Sequence, residues 1–176
     1  MIKRNLNVAW LGSILLLSVF AGMNWVQIQL TPDAGGQSIE VTGFTAFPII
    51  SALLLLQAAS LLTSFFTPRP VGRWIAGLLA PVMIGHAVLI AIGLDVGIQD
   101  SVASSISELT GVAGSASQAQ LVVSSSSTYL WVGYFLAIGL NVALLASRAI
   151  LKKADNKKST EDQAPEGFED LWESQK

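Results

Sequence analysis

Three polar side chains, Gln57, His86 and Asn141, stand inside long apolar stretches of the sequence. His86 is the chain's only histidine and the only ionisable side chain within a predicted membrane span. An imidazole beside two amides could hold a ligand or a proton, because a polar group in an apolar interior needs a polar partner. The same three residues could instead bond neighbouring helices together. No carboxylate accompanies His86, which favours the packing interpretation over a proton relay.

Other residue types that carry chemistry are scarce. The chain has no cysteine, which excludes disulfides and thiol catalysis, and one histidine cannot build a multi-histidine metal site. The sequence lacks the glycine-rich phosphate and dinucleotide motifs, the zinc-protease motif and the serine nucleophile motif. The serine clusters at 104–105 and 124–127 have no companion base. We therefore expect no enzymatic activity, no cofactor, no metal and no nucleic-acid partner.

The composition indicates that the elements holding these residues lie in a membrane. Of 176 residues, 52% are hydrophobic and 12% are charged, whereas soluble domains carry about 25% charged residues. A helix of about 20 apolar residues crosses a hydrocarbon core of about 30 Å. Four such runs predict membrane spans at about residues 8–26, 44–66, 74–94 and 129–147. A signal peptide is the alternative for the first run, but the length of that run and the spans after it favour an uncleaved helix.

The first outer loop, residues 27–43, has a pattern that predicts a β-hairpin. Apolar and polar residues alternate on both sides of the turn sequence Pro32-Asp33-Ala34-Gly35-Gly36. Alternation with a period of two indicates a strand with one buried face, and Pro, Asp and Gly favour a tight turn. An irregular polar loop is the alternative.

The second outer loop, residues 95–128, is rich in Ser, Ala, Gly and Val. Asp100 or Ser101 could cap a short helix that ends near Gly111, because apolar residues follow at helical spacing. Residues 121–123 are predicted to form a short strand before a run of serines. We expect the short helix to lie on the membrane or on the hairpin, and a flexible linker is the alternative.

The predicted fold is an all-α integral membrane protein, a four-helix transmembrane bundle with a small extracytoplasmic cap made of the β-hairpin and a short helix. Residues 1–151 form this membrane domain, and residues 152–176 form a tail predicted to be disordered because it offers little apolar surface to bury. Phe168, Leu171 and Trp172 stand among acidic residues in the tail, and they are candidates for docking a protein partner.

The distribution of charge predicts the orientation. Neither outer loop contains a basic residue, and their charged residues are all acidic. Positively charged segments stay in the cytoplasm, so both termini are predicted to be cytoplasmic in the plasma membrane. In the four-span arrangement all ten basic residues fall on one side of the bilayer: Lys3, Arg4, Arg69, Arg73, Arg148, Lys152, Lys153, Lys157, Lys158 and Lys176.

Small residues also recur at four-residue spacing in the predicted spans, as in Gly77, Pro81 and Gly85. In lipid, this spacing lets two helices approach closely. It could mark contacts of a homo-oligomer, and packing within one chain is the favoured alternative. The expected partners are therefore the lipid bilayer, a protein bound by the tail and a second copy of the chain.

Several short segments, in order, carry a family resemblance. They are Asn24-Trp25-Val26, Val41-Thr42-Gly43, Pro48, Ala52-Leu53, Thr128 to Trp131 and Asp170-Leu171-Trp172. The chain resembles the tryptophan-biosynthesis-associated membrane proteins of actinobacteria, also called the Trp-operon conserved membrane proteins. The resemblance implies four membrane spans and a plasma-membrane location. It implies no catalytic residues, because the family is known by its association with tryptophan-synthesis genes.

The functional expectation is a multi-pass membrane protein without enzymatic activity, accessory to tryptophan metabolism or export. The alternative is a small-molecule transport subunit that uses the intramembrane polar site of Gln57, His86 and Asn141.

Overall fold

A computed structural model describes residues 2–161, and within them the side chains of residues 6–68 and 70–150. Helices and a small sheet alternate along the chain. In order, they are α1 (Ile2–Gly22), β1 (Asn24–Leu30), a 3-10 turn (Pro32–Ala34), β2 (Ser38–Thr42), α2 (Gly43–Ala46), α3 (Ile49–Phe66), α4 (Arg69–Thr110), α5 (Ser115–Ala119), β3 (Val122–Ser127) and α6 (Leu130–Glu161).

Three helices in the described part of the chain are long and apolar enough to cross a membrane. They comprise Ile49–Phe66, Pro70–Thr110 and Leu130–Ile150. In α1 the apolar helical stretch, Leu6–Gly22, is shorter. The first predicted span extends to Val26, but α1 ends at Gly22 and the chain continues as β1, in which Asn24 and Val26 pair with β2.

The second predicted span is interrupted near its start. Thr42 caps α2 through a reciprocal pair of hydrogen bonds with Thr45, and α2 ends after one turn. Phe47 then adopts φ −138° and ψ 85°, because the residue before a proline is disfavoured in the helical region. The long helix α3 therefore begins at Ile49, after Pro48.

The third predicted span continues far beyond its predicted end at Leu94. A single helix, α4, covers 42 residues and contains Pro81 in its interior. The prediction of a separate short helix that starts at Asp100 or Ser101 is wrong, because the helix does not stop before them. It ends where Gly111 adopts φ 70° and donates its N–H to Ser107 O. At 1.5 Å per residue α4 is about 63 Å long, about twice the thickness of a hydrocarbon core.

The strands form one antiparallel sheet in the order β2-β1-β3. The predicted hairpin is present, with Ile28 opposite Ile39 and the turn closed by Gly35 at φ 89°. The third strand differs from its prediction, since it begins at Val122 and includes all four serines that are expected to follow it. Their backbones pair with β1, as Ser125 does with Ile28, so the pairing does not depend on apolar side chains.

Buried side chains form two clusters. In the larger one, α1 packs on α3 and α6, and α4 packs on the same two helices. The smaller cluster lies between the sheet and the last part of α4 and contains Ile28, Val41 and Ile106. α6 runs past the predicted span end at Ser147 and includes residues 152–161 of the predicted tail. Phe168, Leu171 and Trp172 lie outside the described residues.

Candidate functional site

The three polar residues singled out in the sequence are all buried between helices. Gln57 and Asn141 are 0% exposed and His86 is 3% exposed. Gln57 lies on the buried face of α3, which repeats at helical spacing through Leu53 and Leu61. Its place on that face turns the amide toward the other helices, so it must find its hydrogen-bond partners there.

Two of the three residues meet directly. Asn141 Nδ2 on α6 donates to Gln57 Oε1 on α3 at 3.0 Å and to Ser13 Oγ on α1 at 2.8 Å. Gln57 Nε2 in turn donates to the thioether sulfur of Met83 on α4 at 2.6 Å. We call Ser13, Gln57, Met83 and Asn141 the polar layer. It connects all four long helices through side-chain contacts.

His86 takes a different partner. Its Nε2 lies 3.0 Å from the hydroxyl of Tyr134, and the two rings meet edge to face with centroids 6.2 Å apart. Tyr134 precedes Asn141 by seven residues on α6, or about 10 Å along the helix axis. This His–Tyr pair therefore lies nearer the sheet than the polar layer, and the structure does not bond His86 to Gln57 or Asn141.

The polar layer and the His–Tyr pair each contain one polar atom without a hydrogen-bond partner among the described residues. These atoms are Asn141 Oδ1 in the polar layer and His86 Nδ1 in the His–Tyr pair. No carboxylate among residues 6–68 and 70–150 forms a hydrogen bond with either atom. The same described residues contain no group of three or more metal-ligating side chains. The arrangement can bind helices together or contact a small polar molecule through hydrogen bonds.

Ser13, Met83 and Tyr134 also belong to these groups, and none of them was predicted from the sequence. Ser13 shares the buried face of α1 with Trp10 and Leu17, three residues before it and four after it. That helical spacing could have predicted that Ser13 is buried. Met83 carries no hydrogen-bonding group of conventional strength, so only the packing of α4 against α3 reveals its contact.

The small-residue positions differ in what they contact. A Cβ atom added at Gly133 would collide with the ring of Phe20, so this glycine allows α1 and α6 to approach closely. A Cβ added at Gly77 or Gly85 would meet nothing within 4 Å. The contact at Gly133 is therefore within one chain, while the face with Gly77 and Gly85 is open.

At the end of the helices away from the sheet, two arginines contact α6 and α1. Arg73 Nη2 donates to Ala149 O at 3.3 Å, and the guanidinium of Arg148 lies 5.0 Å from the ring centroid of Trp10. A cation over an indole face is attracted by the ring quadrupole. These basic groups lie at one end of the molecule, and the acidic residues of the hairpin and of the second half of α4 lie at the other.

One of three comparisons with known proteins found a match. A family model described as "Tryptophan-associated transmembrane protein" matches residues 8–173, which is nearly the whole chain. No curated protein and no solved structure matches the chain. The match confirms the resemblance carried by the short segments around Trp25, Val41 and Pro48. The chain is therefore a membrane protein and belongs to the family of tryptophan-associated transmembrane proteins.

Proposed function

We propose that this protein crosses the plasma membrane four times with both termini in the cytoplasm, and that it acts without enzymatic activity as an accessory to tryptophan metabolism or export. The observation that carries the four-span arrangement is the bond between Ser13 and Asn141. Through it α1 shares a buried polar layer with three helices long enough to cross a membrane. A helix lying outside the bilayer would not have a serine of 2% exposure in that position.

The charge distribution supports the proposed orientation. Arg73 and Arg148 lie at the end of the helices opposite the sheet, and the sheet and its loops contain acidic residues alone among charged ones. A bilayer orients a protein with its basic segments toward the cytoplasm. The sheet, α5 and the second half of α4 are then an extracytoplasmic cap.

The surroundings of His86 support a role other than catalysis. Its ring is 3% exposed and its Nε2 is bonded to Tyr134. A general base must reach the proton that it removes within hydrogen-bond distance, directly or through one water. In this position the chain's one imidazole has no access to a molecule at either aqueous surface.

A transport subunit is the second candidate function. The observation that favours it is the pair of unpartnered buried atoms, Asn141 Oδ1 and His86 Nδ1, at successive levels between the same helices. Polar groups that face a bundle interior often mark a solute pathway. A solute passing from the cap to the cytoplasm would meet His86 first and Asn141 second.

Tryptophan flux separates the two functions. A deletion strain is complemented with the wild-type chain, His86→Ala or Asn141→Ala, and tryptophan efflux and growth without external tryptophan are measured. We expect both variants to complement if the protein is an accessory. Loss of flux at wild-type protein level would instead support transport. Leu140→Ala, on the exposed face of α6, is the matched control.

Cysteine labelling tests the topology, since the natural chain has no cysteine. Single cysteines at Gln37 and Ser115 should react with a membrane-impermeant maleimide from outside, whereas cysteines at Asn5 and Val71 should react only after permeabilisation. If the cysteine at Asn5 is labelled from outside while the other three positions behave as expected, α1 does not cross the membrane. The reverse pattern at all four positions would overturn the orientation.

A further inference from the structure

An open groove of about 730 Å³ lies between the sheet and the second half of α4, well away from the polar layer. Val26 and Ile28 line it from β1, while Ile98, Val102 and Ile106 line it from α4. Ligand sites in proteins usually measure about 300–1,000 Å³ and have mostly apolar walls. The groove therefore has the size and the lining of a site for a small molecule.

The charged residues that line the groove, within the described part of the chain, are Asp95 and Asp100. Both side chains are at least partly exposed. The two sequence segments that build the groove, from residue 24 to 42 and from 94 to 131, contain no lysine, arginine or histidine. The groove therefore has a negative potential that no neighbouring cation of its own elements offsets, and it attracts a positively charged ligand.

Gln118 lines the same wall of the groove. The residue is 6% exposed, and its Nε2 donates to Ala103 O at 3.0 Å and to Val112 O at 2.9 Å. These two bonds use both amide hydrogens and fix the plane of the side chain. Its Oε1 accepts no hydrogen bond from the described residues, so the free polar atom of Gln118 can accept a donor from the groove.

Two aromatic side chains stand at the edge of the groove. Tyr129 adopts φ 55°, a conformation that costs free energy in a residue other than glycine. The hydroxyl of the preceding Thr128 donates to the backbone carbonyl of Asn24, and the N–H of Thr128 donates to that of Trp25, so this turn is held in place. Tyr129 and Trp131 therefore project beside the groove from a fixed backbone and can cover the apolar part of a ligand.

We propose that this groove binds a small amphipathic organic cation, with an apolar or aromatic body on the floor and a protonated amine facing Asp95, Asp100 and the amide oxygen of Gln118. The apolar floor selects the body, and the carboxylates select the charge. An anion of the same shape lacks that attraction and leaves the carboxylates facing a like charge. Binding at this groove does not rest on the accessory role or on the orientation proposed above.

The test uses the full chain in lipid nanodiscs and three probes measured by saturation-transfer difference NMR against empty nanodiscs. Phenethylamine carries both a ring and an amine, 3-phenylpropionate carries the ring with the opposite charge, and ethylamine carries the charge alone. We expect phenethylamine to bind and the other two to bind at least about ten-fold more weakly. Ala119→Trp, which fills the groove from α5, should abolish the signal.

Charge variants make the test specific. Asp95→Asn and Asp100→Asn should each weaken phenethylamine binding by up to about five-fold, as expected for a partly exposed ion pair. Glu108→Gln removes an acidic residue from the same helix outside the groove and should leave binding unchanged. All three change side chains that solvent reaches, so near-native unfolding temperatures are expected and are checked for each variant.

Several results would overturn the proposal. Equal binding of 3-phenylpropionate, or binding that survives Ala119→Trp, would show that phenethylamine sits elsewhere. Binding that is insensitive to both aspartates would show that the carboxylates do not recognise the amine. Protein that dimerises through this face, measured by cross-linking at Ser125, would identify a second copy as the occupant.

Discussion

The helices and the sheet differ in their outer faces and in the polar groups that they bury. Between the helices, Gln57, His86 and Asn141 are buried, while apolar side chains cover the outside; Leu55, Ile92 and Leu136 are 70%, 79% and 71% exposed. In the sheet, apolar residues such as Ile28, Leu30, Ile39 and Val41 are buried and polar ones such as Gln27 and Glu40 are exposed. Both interiors are therefore mainly apolar; the regions differ in their outer faces, which are apolar on the helices and mostly polar on the sheet, and in the bonded polar layer between the helices.

This contrast identifies the force that holds each region. In lipid, burying an apolar side chain between helices gains little from the hydrophobic effect, because the lipid tails are equally apolar. Close packing and interhelical hydrogen bonds remain, and the polar layer supplies such bonds. In water, the removal of apolar surface from solvent is the main source of stability. The sheet and the last part of α4 follow that second rule.

Trp25 connects the two regions. It lies in β1, but it is 0% exposed within the helix cluster and packs against Tyr134 with ring centroids 5.7 Å apart. Its Nε1 donates to Phe20 O at 2.9 Å. A Cβ atom added at Gly43 would come within 2.5 Å of its ring. The backbone of α2 therefore closes over this indole.

The largest effect is expected where the two regions share a side chain. Trp25→Ala should lower the free energy of unfolding in mixed micelles by about 3–5 kcal/mol, because it removes a fully buried indole and leaves a cavity. Trp74→Ala is the matched control, since Trp74 is 74% exposed, and should change the value by less than about 0.5 kcal/mol. Similar losses from both variants would show that Trp25 does not connect the regions.

The next effect tests the rule for the sheet. Ile39 is 5% exposed in β2, at the edge of the sheet. Ile39→Ala should cost about 2–3 kcal/mol in the same unfolding assay, because it removes buried methyl groups from an apolar core. Gln27→Ala, on the exposed face of β1, should be close to neutral. If Ile39→Ala left the free energy of unfolding unchanged, burial of apolar side chains would not be what stabilises the sheet.

The smallest effect tests the rule for the helices. Asn141→Leu should cost about 1–2 kcal/mol, because it breaks the bonds to Ser13 and Gln57 and leaves the amide oxygen of Gln57 buried without a partner. The double variant Gln57→Leu/Asn141→Leu should be more stable than the sum of the single variants predicts, since replacing both partners by apolar groups removes the unpaired atoms. Strict additivity would show that the two amides do not stabilise each other.

The sequence predicts the features that depend on local pattern. The alternation around Ile28 and Ile39 predicts the hairpin, and the apolar runs predict the three helices that are long enough to cross a membrane. Gln57 and Asn141 could be brought together because their positions along neighbouring spans place them at similar depths. These inferences need only helix rise, strand period and the thickness of a bilayer.

Other features depend on contacts that no local pattern records. Asp95 and Asp100 suggest a loop, yet α4 continues through them because Ile98, Val102 and Ile106 pack on the sheet. The serine strand β3 pairs through its backbone, so its side chains give no signal. The bond from His86 to Tyr134 depends on the rotation of α4 and α6 about their axes, which the sequence leaves undetermined.

The continuity of α4 has a mechanical consequence. Met83 and His86 belong to the helix region and Ile98 to the groove, yet all three lie on one unbroken stretch of helix. Proline lacks the backbone N–H for the intrahelical bond, so Pro81 is the natural hinge of this helix, and it lies on the far side of Met83 from the groove. The segment beyond that hinge is a lever of about 40 Å. If the helix bends at Pro81, Met83 and His86 move together with the residues of α4 that line the groove.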